Sequence, residues 1–502
     1  MANHQRPPGP DNLFPPQDVC NELVDLYFDI IHDKDHMLFH RPTFVSAHRK
    51  GMVDMTHIAA MMALAARFSS NPWFQDSNRW TRGSVWANYS KHLFDNRKDK
   101  VSLAAIQSCV LLSTIAFCDV DMEMESLYGA QAIRMVQLKA LPDQRGESLV
   151  QRETEIRVWW TVWMLDRWAS AEARIPKQLV ADSRFPVPMT EQLFEQMSAD
   201  WCDLNQTSPL ERLQLEHRGF WAHLIPVTEL IEPINELHEM TVQGRLTDLE
   251  LYDHVESIAS KLTSWRLHLP ESLEFTPENL LRYANTGHGR ILAALHSGFH
   301  HQSQLLYYQF LQPSIATNAE SSTRVLEYAS RCRQHATDIT NLFWLARQTP
   351  RCKAMWPMVG HLLAVSSSVH LHSLLFSEDA GRVSSVKHML KQNFEMMMEL
   401  RQYWPSIDLS MSRLRSFHQA CQRSMNTSFI MDHWMLQFLQ QYTKPVQGRD
   451  IFHLYSGSSE PIQTSPAWMS SVGVEQGYIV DDSIAHSQVG LEVGTTILQT
   501  FL

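Results

Sequence analysis

The chain has 502 residues, 44% of them hydrophobic, and carries 43 Lys and Arg against 54 Asp and Glu, a formal net charge of -11. That apolar content supplies a substantial core, as one large helical domain or two packed halves, and the acidic balance speaks against a domain that grips a phosphate backbone by itself. The seven cysteines, Cys20, Cys109, Cys118, Cys202, Cys332, Cys352 and Cys421, are never closer than nine residues, which excludes a zinc cluster of closely spaced thiolates and suits a reducing compartment.

The leader Met1 to Gln17 is Pro-rich and lacks the apolar stretch of a signal peptide. Cys20, Leu23, Val24, Tyr27, Phe28 and Ile31 then recur at helical spacing. His32, His36 and His40 follow four apart beside Asp29, Asp33 and Asp35. A continuous helix would align these imidazoles as metal ligands, but Arg41-Pro42 disfavours helix just ahead of the proline. The expectation is a helix end and a turn with exposed polar side chains. The short basic clusters His48-Arg49-Lys50 and Arg97-Lys98-Asp99-Lys100 read as solvated helix ends.

The most informative stretch is Glu155 to Trp168, where Trp159, Trp160, Trp163 and Trp168 crowd one helix that is apolar almost all round. It is predicted to lie at the centre, with Trp160, Trp163, Leu165 and Trp168 largely buried. Glu155, Arg157, Asp166 and Arg167 must then pair locally, because unpaired buried charge is costly. Further on, Leu251, Val255, Ile258, Leu262 and Trp265 form one stripe, and the apolar run Ile291 to Leu311 stops before Pro313. His296 and His300 in that run read as satisfied core or groove histidines rather than ligands. The uncharged stretch Ala354 to Ser377 is long enough to suggest a membrane span, but Pro357, Gly360, histidines and serines lower its apolarity to that of a buried helix. Breaks are expected at Leu141 to Leu149, Pro176 to Thr190, Trp201 to Pro209 and Leu311 to Ser322.

No sustained two-residue alternation and no short internal repeat is present, so the predicted fold class is all-α, a large multi-helix domain over 18–444, with its halves meeting near 200–210 if there are two. The leader 1–17 and the tail 445–502 are expected to be flexible or partly disordered. From Ile451 to Leu502 there is no Lys or Arg, and acidic residues interleave with apolar ones as in Tyr478-Ile479-Val480-Asp481-Asp482. Such a tail reads as an activation segment that folds on a coactivator, or as a docked tail with no role of its own.

Catalytic patterns are missing: there is no G-x-S-x-G elbow, P-loop or H-E-x-x-H pair, and Gly287-His288-Gly289 follows no strand and lacks the third glycine of a dinucleotide fingerprint. No enzyme, no cofactor and no metal site is expected. The 24 methionines, among them Met61-Met62, Met122, Met124 and Met396-Met397-Met398, fill a core by default. A Met- and Trp-lined cavity for an apolar molecule is the alternative, which makes a small-molecule-binding all-α protein a further reading.

Arg157-Val158-Trp159-Trp160, followed by Leu165-Asp166-Arg167, resembles the signature segment of the fungal-specific transcription factor regulatory domain, the middle homology region. Other landmarks fall in the same order. Arg41, Pro42 and Phe44 resemble the His-Arg-Pro-x-Phe turn, Pro186 and Pro188 the Pro-x-Pro exit loop, and Trp265 and Pro270, then Tyr403-Trp404-Pro405, the later motifs. Two departures stand out: Ala173-Arg174-Ile175-Pro176 replaces Gly-Arg-Pro, and Leu138-Lys139-Ala140-Leu141 replaces Leu-Gly-Leu. Loss of that glycine removes the easy left-handed cap, so the helix is expected to run on or end differently. The resemblance implies a nuclear regulator of a specific gene set, such as a metabolic or secondary-metabolite cluster, with the signature residues in structural roles. It implies as partners the transcription machinery, a second copy of the chain, or a small-molecule effector. The zinc binuclear cluster of that family has no counterpart in these residues. DNA would therefore be reached indirectly, through a DNA-binding partner or a module lost from a truncated gene model, and the runner-up is a stand-alone or inhibitory module.

Overall fold

The computed structural model describes residues 13–141, 148–181, 185–197, 218–312, 319–376, 379–424 and 428–449. Most of the expected break Leu141 to Leu149, all of Trp201 to Pro209, Cys202 and the tail Ile451 to Leu502 lie outside them. Among the described residues there is no strand, only the isolated bridges His32–His36 and Met189–Arg218. The all-α expectation holds.

The helices in chain order are α1 (Gln17–Ile30), α2 (Arg41–Arg49), α3 (Met55–Ala65), α4 (Ser84–Asp95), α5 (Leu103–Cys118), α6 (Met122–Leu138) and α7 (Leu149–Ala173). After α8 (Glu191–Gln196) come α9 (Phe220–Thr228), α10 (Ile231–Val242), α11 (Asp248–His268), α12 (Pro277–Asn285) and α13 (Gly289–Tyr308). The last are α14 (Ala319–Gln348), α15 (Val359–Phe376), α16 (Ala380–Arg401), α17 (Ser406–Arg423) and α18 (His433–Gln440). Starts are set locally: Asp54, Ser102, Asp121 and Ser148 each accept a hydrogen bond from an orphan backbone N–H of the following helix. Thr247 and Glu250 form a reciprocal capping box at α11.

Helices α3, α5 and α15 are buried on nearly every side. This is why their sequences show no clear stripe: a helix surrounded by helices needs no polar face. The membrane-like stretch is α15, 94% of it inside the protein. The stripe read at Leu251 to Trp265 is the inner face of α11, and the run Ile291 to Leu311 becomes α13 plus one 3-10 turn. One hydrophobic cluster joins residues from Leu13 to Val446.

Two local expectations need correcting. First, α6 ends without glycine but does not run on: Ala140 adopts φ 51°, and Leu141 N–H bonds Val136 O at 3.1 Å, the closing bond of a Schellman cap. Arg174 takes the same left-handed conformation, φ 56°, at the end of α7. Second, the histidine turn is not exposed. His32, His36 and His40 are 3%, 1% and 4% exposed, because each ring has partners inside. The chain turns at Asp33 (φ 64°), so the three never share a helix face. His32 Nε2 accepts from the N–H groups of Leu38 and Phe39, His36 Nε2 pairs with Tyr27 Oη at 2.6 Å, and His40 Nε2 meets Phe194 O at 2.9 Å.

Candidate functional site

Helix α7 organises the centre, packing on α5, α6, α9 and α10. Along its first half Arg157 is paired, while Glu155 Oε2 and Glu191 Oε1 are buried without a hydrogen-bond partner. Arg157 Nε donates to Glu153 Oε1 at 2.9 Å, one Nη to Met189 O at 2.6 Å, and the guanidinium lies 4.4 Å from the Phe194 ring. Glu191 stands 3.8 Å away as a second countercharge. Burial opposes charge on Arg157, yet Glu153 and Glu191 raise its pKa further. Glu155, read from the sequence as part of this network, takes its hydrogen bond from Gln151. The partner that sequence reading missed is Glu153, four residues ahead of Arg157 and legible as a helical ion pair.

The next signature residues hold the exit segment. Asp166 Oδ2 accepts the backbone N–H groups of Gln178 and Leu179 at 2.9 and 2.8 Å, and Arg167 at 3.0 Å. Arg167 in turn donates to Leu179 O at 2.6 Å and lies over Trp163. Trp160 Nε1 donates to Pro186 O at 2.8 Å, Trp159 packs edge-on against Phe185, and Pro188 O accepts from Gly219 N–H. Arg41 pairs with Asp29 at 2.7 Å, Pro42 opens α2, and Phe44 is buried against Phe28 and Phe39. Trp265 bonds His223 O and stacks on Phe299, while exposed Pro270 caps a 3-10 turn. These residues act as staples between segments rather than as one assembled site.

Another set of α7 side chains, Thr161, Met164, Leu165, Trp168 and Ala169, lines open space. Leu165 and Trp168, expected to be buried, are only partly so, because they face a cavity of about 200 Å³. Its walls come from the turn after α1 and from α5, α6, α7, α9, α13 and α15, with Tyr442 beside them. The rings are Phe117, Trp168, Trp221, Trp356 and Tyr442, and the methionines Met164 and Met358. The clusters Met61-Met62 and Met396-Met397-Met398 are not in it. Besides His301 and Tyr442, the ionisable chains Lys34, Asp35 and Glu125 join this wall. Burial pushes the Asp35 carboxyl up to about 7, with Lys34 pulling the other way. Burial, then Glu172, pushes Glu125 up to about 7. Asp35 Oδ2 and Gln302 Oε1 are buried without a hydrogen-bond partner. Sequence reading found none of these acceptors, since they converge from three separate elements.

His296 and His300 do not form a pair. His296 Nε2 meets Leu273 O at 2.7 Å, whereas His300 Nδ1 lies 3.0 Å from His335 Nδ1 and 3.6 Å from Asp338. These three donor groups lie within 4.8 Å of one another, a spacing that suits a cation. The Arg266 charge beside His300 and the Arg331 charge beside His335 oppose one. Each imidazole is held neutral chiefly by burial.

The model of the fungal specific transcription factor domain matches residues 24–269. An uncharacterized transcriptional regulatory protein of Schizosaccharomyces pombe is 24% identical over 319 residues, covering 58% of this chain and 32% of the relative. A Zn(2)-C6 fungal-type transcription factor of Fusarium oxysporum f. sp. lycopersici is 22% identical over 424 residues, covering 78% of this chain. The chain spans 44% of that relative's length, well under half. No solved structure matches. The matched segment runs from α1 to the end of α11 and contains the histidine turn, the whole of α7 and its exit loop. Residues 24–269 of this chain are therefore similar to the fungal specific transcription factor domain.

Proposed function

We propose that this chain regulates transcription of a specific gene set in the nucleus, such as a metabolic or secondary-metabolite cluster, with its helical domain as the sensing part. The observation that carries the reading is the family match over residues 24–269, joined by relatives whose names describe transcription regulators. The cavity beside Trp168 supports a small-molecule effector, since it brings partnerless acceptors and aromatic walls together at the end of the signature helix. The net charge of -11 and the wide cysteine spacing favour contact with DNA through a partner protein or through a module outside these residues. The tail Ile451 to Leu502 is the first candidate for an activating segment.

The test joins gene deletion to a reporter. Deleting the gene should change transcripts of a limited set, and fusing the chain to a foreign DNA-binding module should alter a reporter. Removing Ile451 to Leu502 should lower the output of that fusion. A fusion that moves no reporter, together with an unchanged transcript profile on deletion, would sink the regulator reading.

A further inference from the structure

The walls of the α7 cavity specify a kind of ligand. About 200 Å³ exceeds the roughly 150 Å³ that holds a benzene ring, so a one- or two-ring body fits. The polar groups are mostly acceptors. Asp35 Oδ2 and Gln302 Oε1 lack partners, and the Glu125 carboxyl has an acidic neighbour, Glu172, but no cation acting on it. Lys34, the one Lys or Arg among the described residues of the wall, is already engaged: its Nζ donates to Phe28 O at 3.4 Å, and Asp33 and Asp29 act on it as countercharges.

A carboxyl shielded from water without a hydrogen-bond partner is costly, and a donor that brings positive charge relieves that cost. Aromatic faces add to the attraction, since the ring quadrupole favours a nearby cation, most of all over tryptophan. We propose that this cavity binds a small organic ammonium: an amine on a one- or two-ring apolar body, its cationic head against a wall acid, Asp35 or Glu125, and its body against Trp168 and Trp221. A carboxylate ligand of the same shape would add a third acid to the wall. A neutral one would lack the charge that the acids need. The upward shift of both carboxyls to about 7 agrees with acids held by burial, Glu125 beside a second acid and Asp35 opposed only by Lys34.

The inference assigns a ligand class to the sensing cavity proposed above, and the test separates the two. The full chain is titrated calorimetrically near neutral pH with 2-phenylethylamine, 2-phenylethanol and 3-phenylpropionate, three probes that share a ring and differ in the head group. The amine should bind at least about tenfold more tightly than the alcohol, with the acid weakest. The Asp35→Asn/Glu125→Gln variant should bring the amine to the level of the alcohol and leave the alcohol within about twofold. Both substitutions remove an unpaired buried charge, so the fold is not at risk from them, and a thermal melt checks this. Equal or tighter binding of the alcohol or the acid overturns the ammonium assignment while the sensing cavity stands. An amine preference that survives the double substitution does the same. Failure of all three probes to bind overturns both.

Discussion

Two sets of side chains on and around α7 bury charge in opposite ways. Around Arg157, Asp166 and Arg167 every charge meets a countercharge or a row of backbone groups, and the helix is riveted to Met189, Leu179 and Pro186. Around Trp168 the packing leaves a cavity, where Asp35 Oδ2 has no hydrogen-bond partner and Glu125 has only another acid, Glu172, acting on it. A closed network stores stability. An open one stores an unmet need for a ligand, and costs stability until that need is met. The tryptophan helix is therefore a structural staple through one set of side chains and the wall of a site through another.

That contrast can be broken most forcefully at Arg157. Arg157→Met leaves Glu153 and Glu191 buried without their cation, and should cost about 3–5 kcal/mol in denaturant unfolding. A loss under about 1 kcal/mol would mean that the network is not the clamp its geometry suggests. Asp166→Ala should come next. It orphans the Gln178 and Leu179 N–H groups and strips Arg167 of its carboxylate, for a loss of about 2–4 kcal/mol.

The cavity side predicts the opposite sign. Asp35 and Glu125 have folded pKa values raised above their ordinary ones, so the folded state holds more protons than the unfolded state between pH 4 and 7. Their contribution to stability falls as pH rises through that window. Asp35→Asn/Glu125→Gln should therefore gain on wild type from about pH 4 to pH 7, reaching an advantage on the order of 1 kcal/mol above it. Buried neutral histidines such as His36 and His301, lowered to about 3, slope the other way in both proteins and cancel in the difference. A difference curve flat with pH would show that the two acids are solvated. The smallest effect is local: Ala140→Gly should stabilise by about 0.5–1 kcal/mol, because the exposed residue at φ 51° closes the cap of α6. A destabilised Ala140→Gly would show that this turn is not left-handed in solution.

The sequence by itself determined that this chain is helical, that Glu155 to Trp168 lies in its core, and which stripes of α1, α11 and α13 face inward. Periodicity and the cost of burying tryptophan act over a few turns of helix, and neither needs a distant partner to be read. The resemblance carried by Arg157, Trp160 and Asp166 was legible for the same reason, since those residues sit on one helix at fixed spacing. Only the tertiary structure decided where their charges go. Glu191 and the backbone of Met189 reach Arg157 from beyond the end of α7, and no spacing rule joins them. The same holds for the histidine turn, whose partners Tyr27, Leu38 and Phe194 bury rings that local sequence would leave in water. It holds above all for the cavity: Asp35, Glu125, Gln302 and Tyr442 are far apart along the chain, and their meeting is a consequence of how α5, α6, α7 and α13 pack. Local sequence fixes which side chains must be buried, whereas the company a buried polar group keeps depends on contacts that only the closed fold creates.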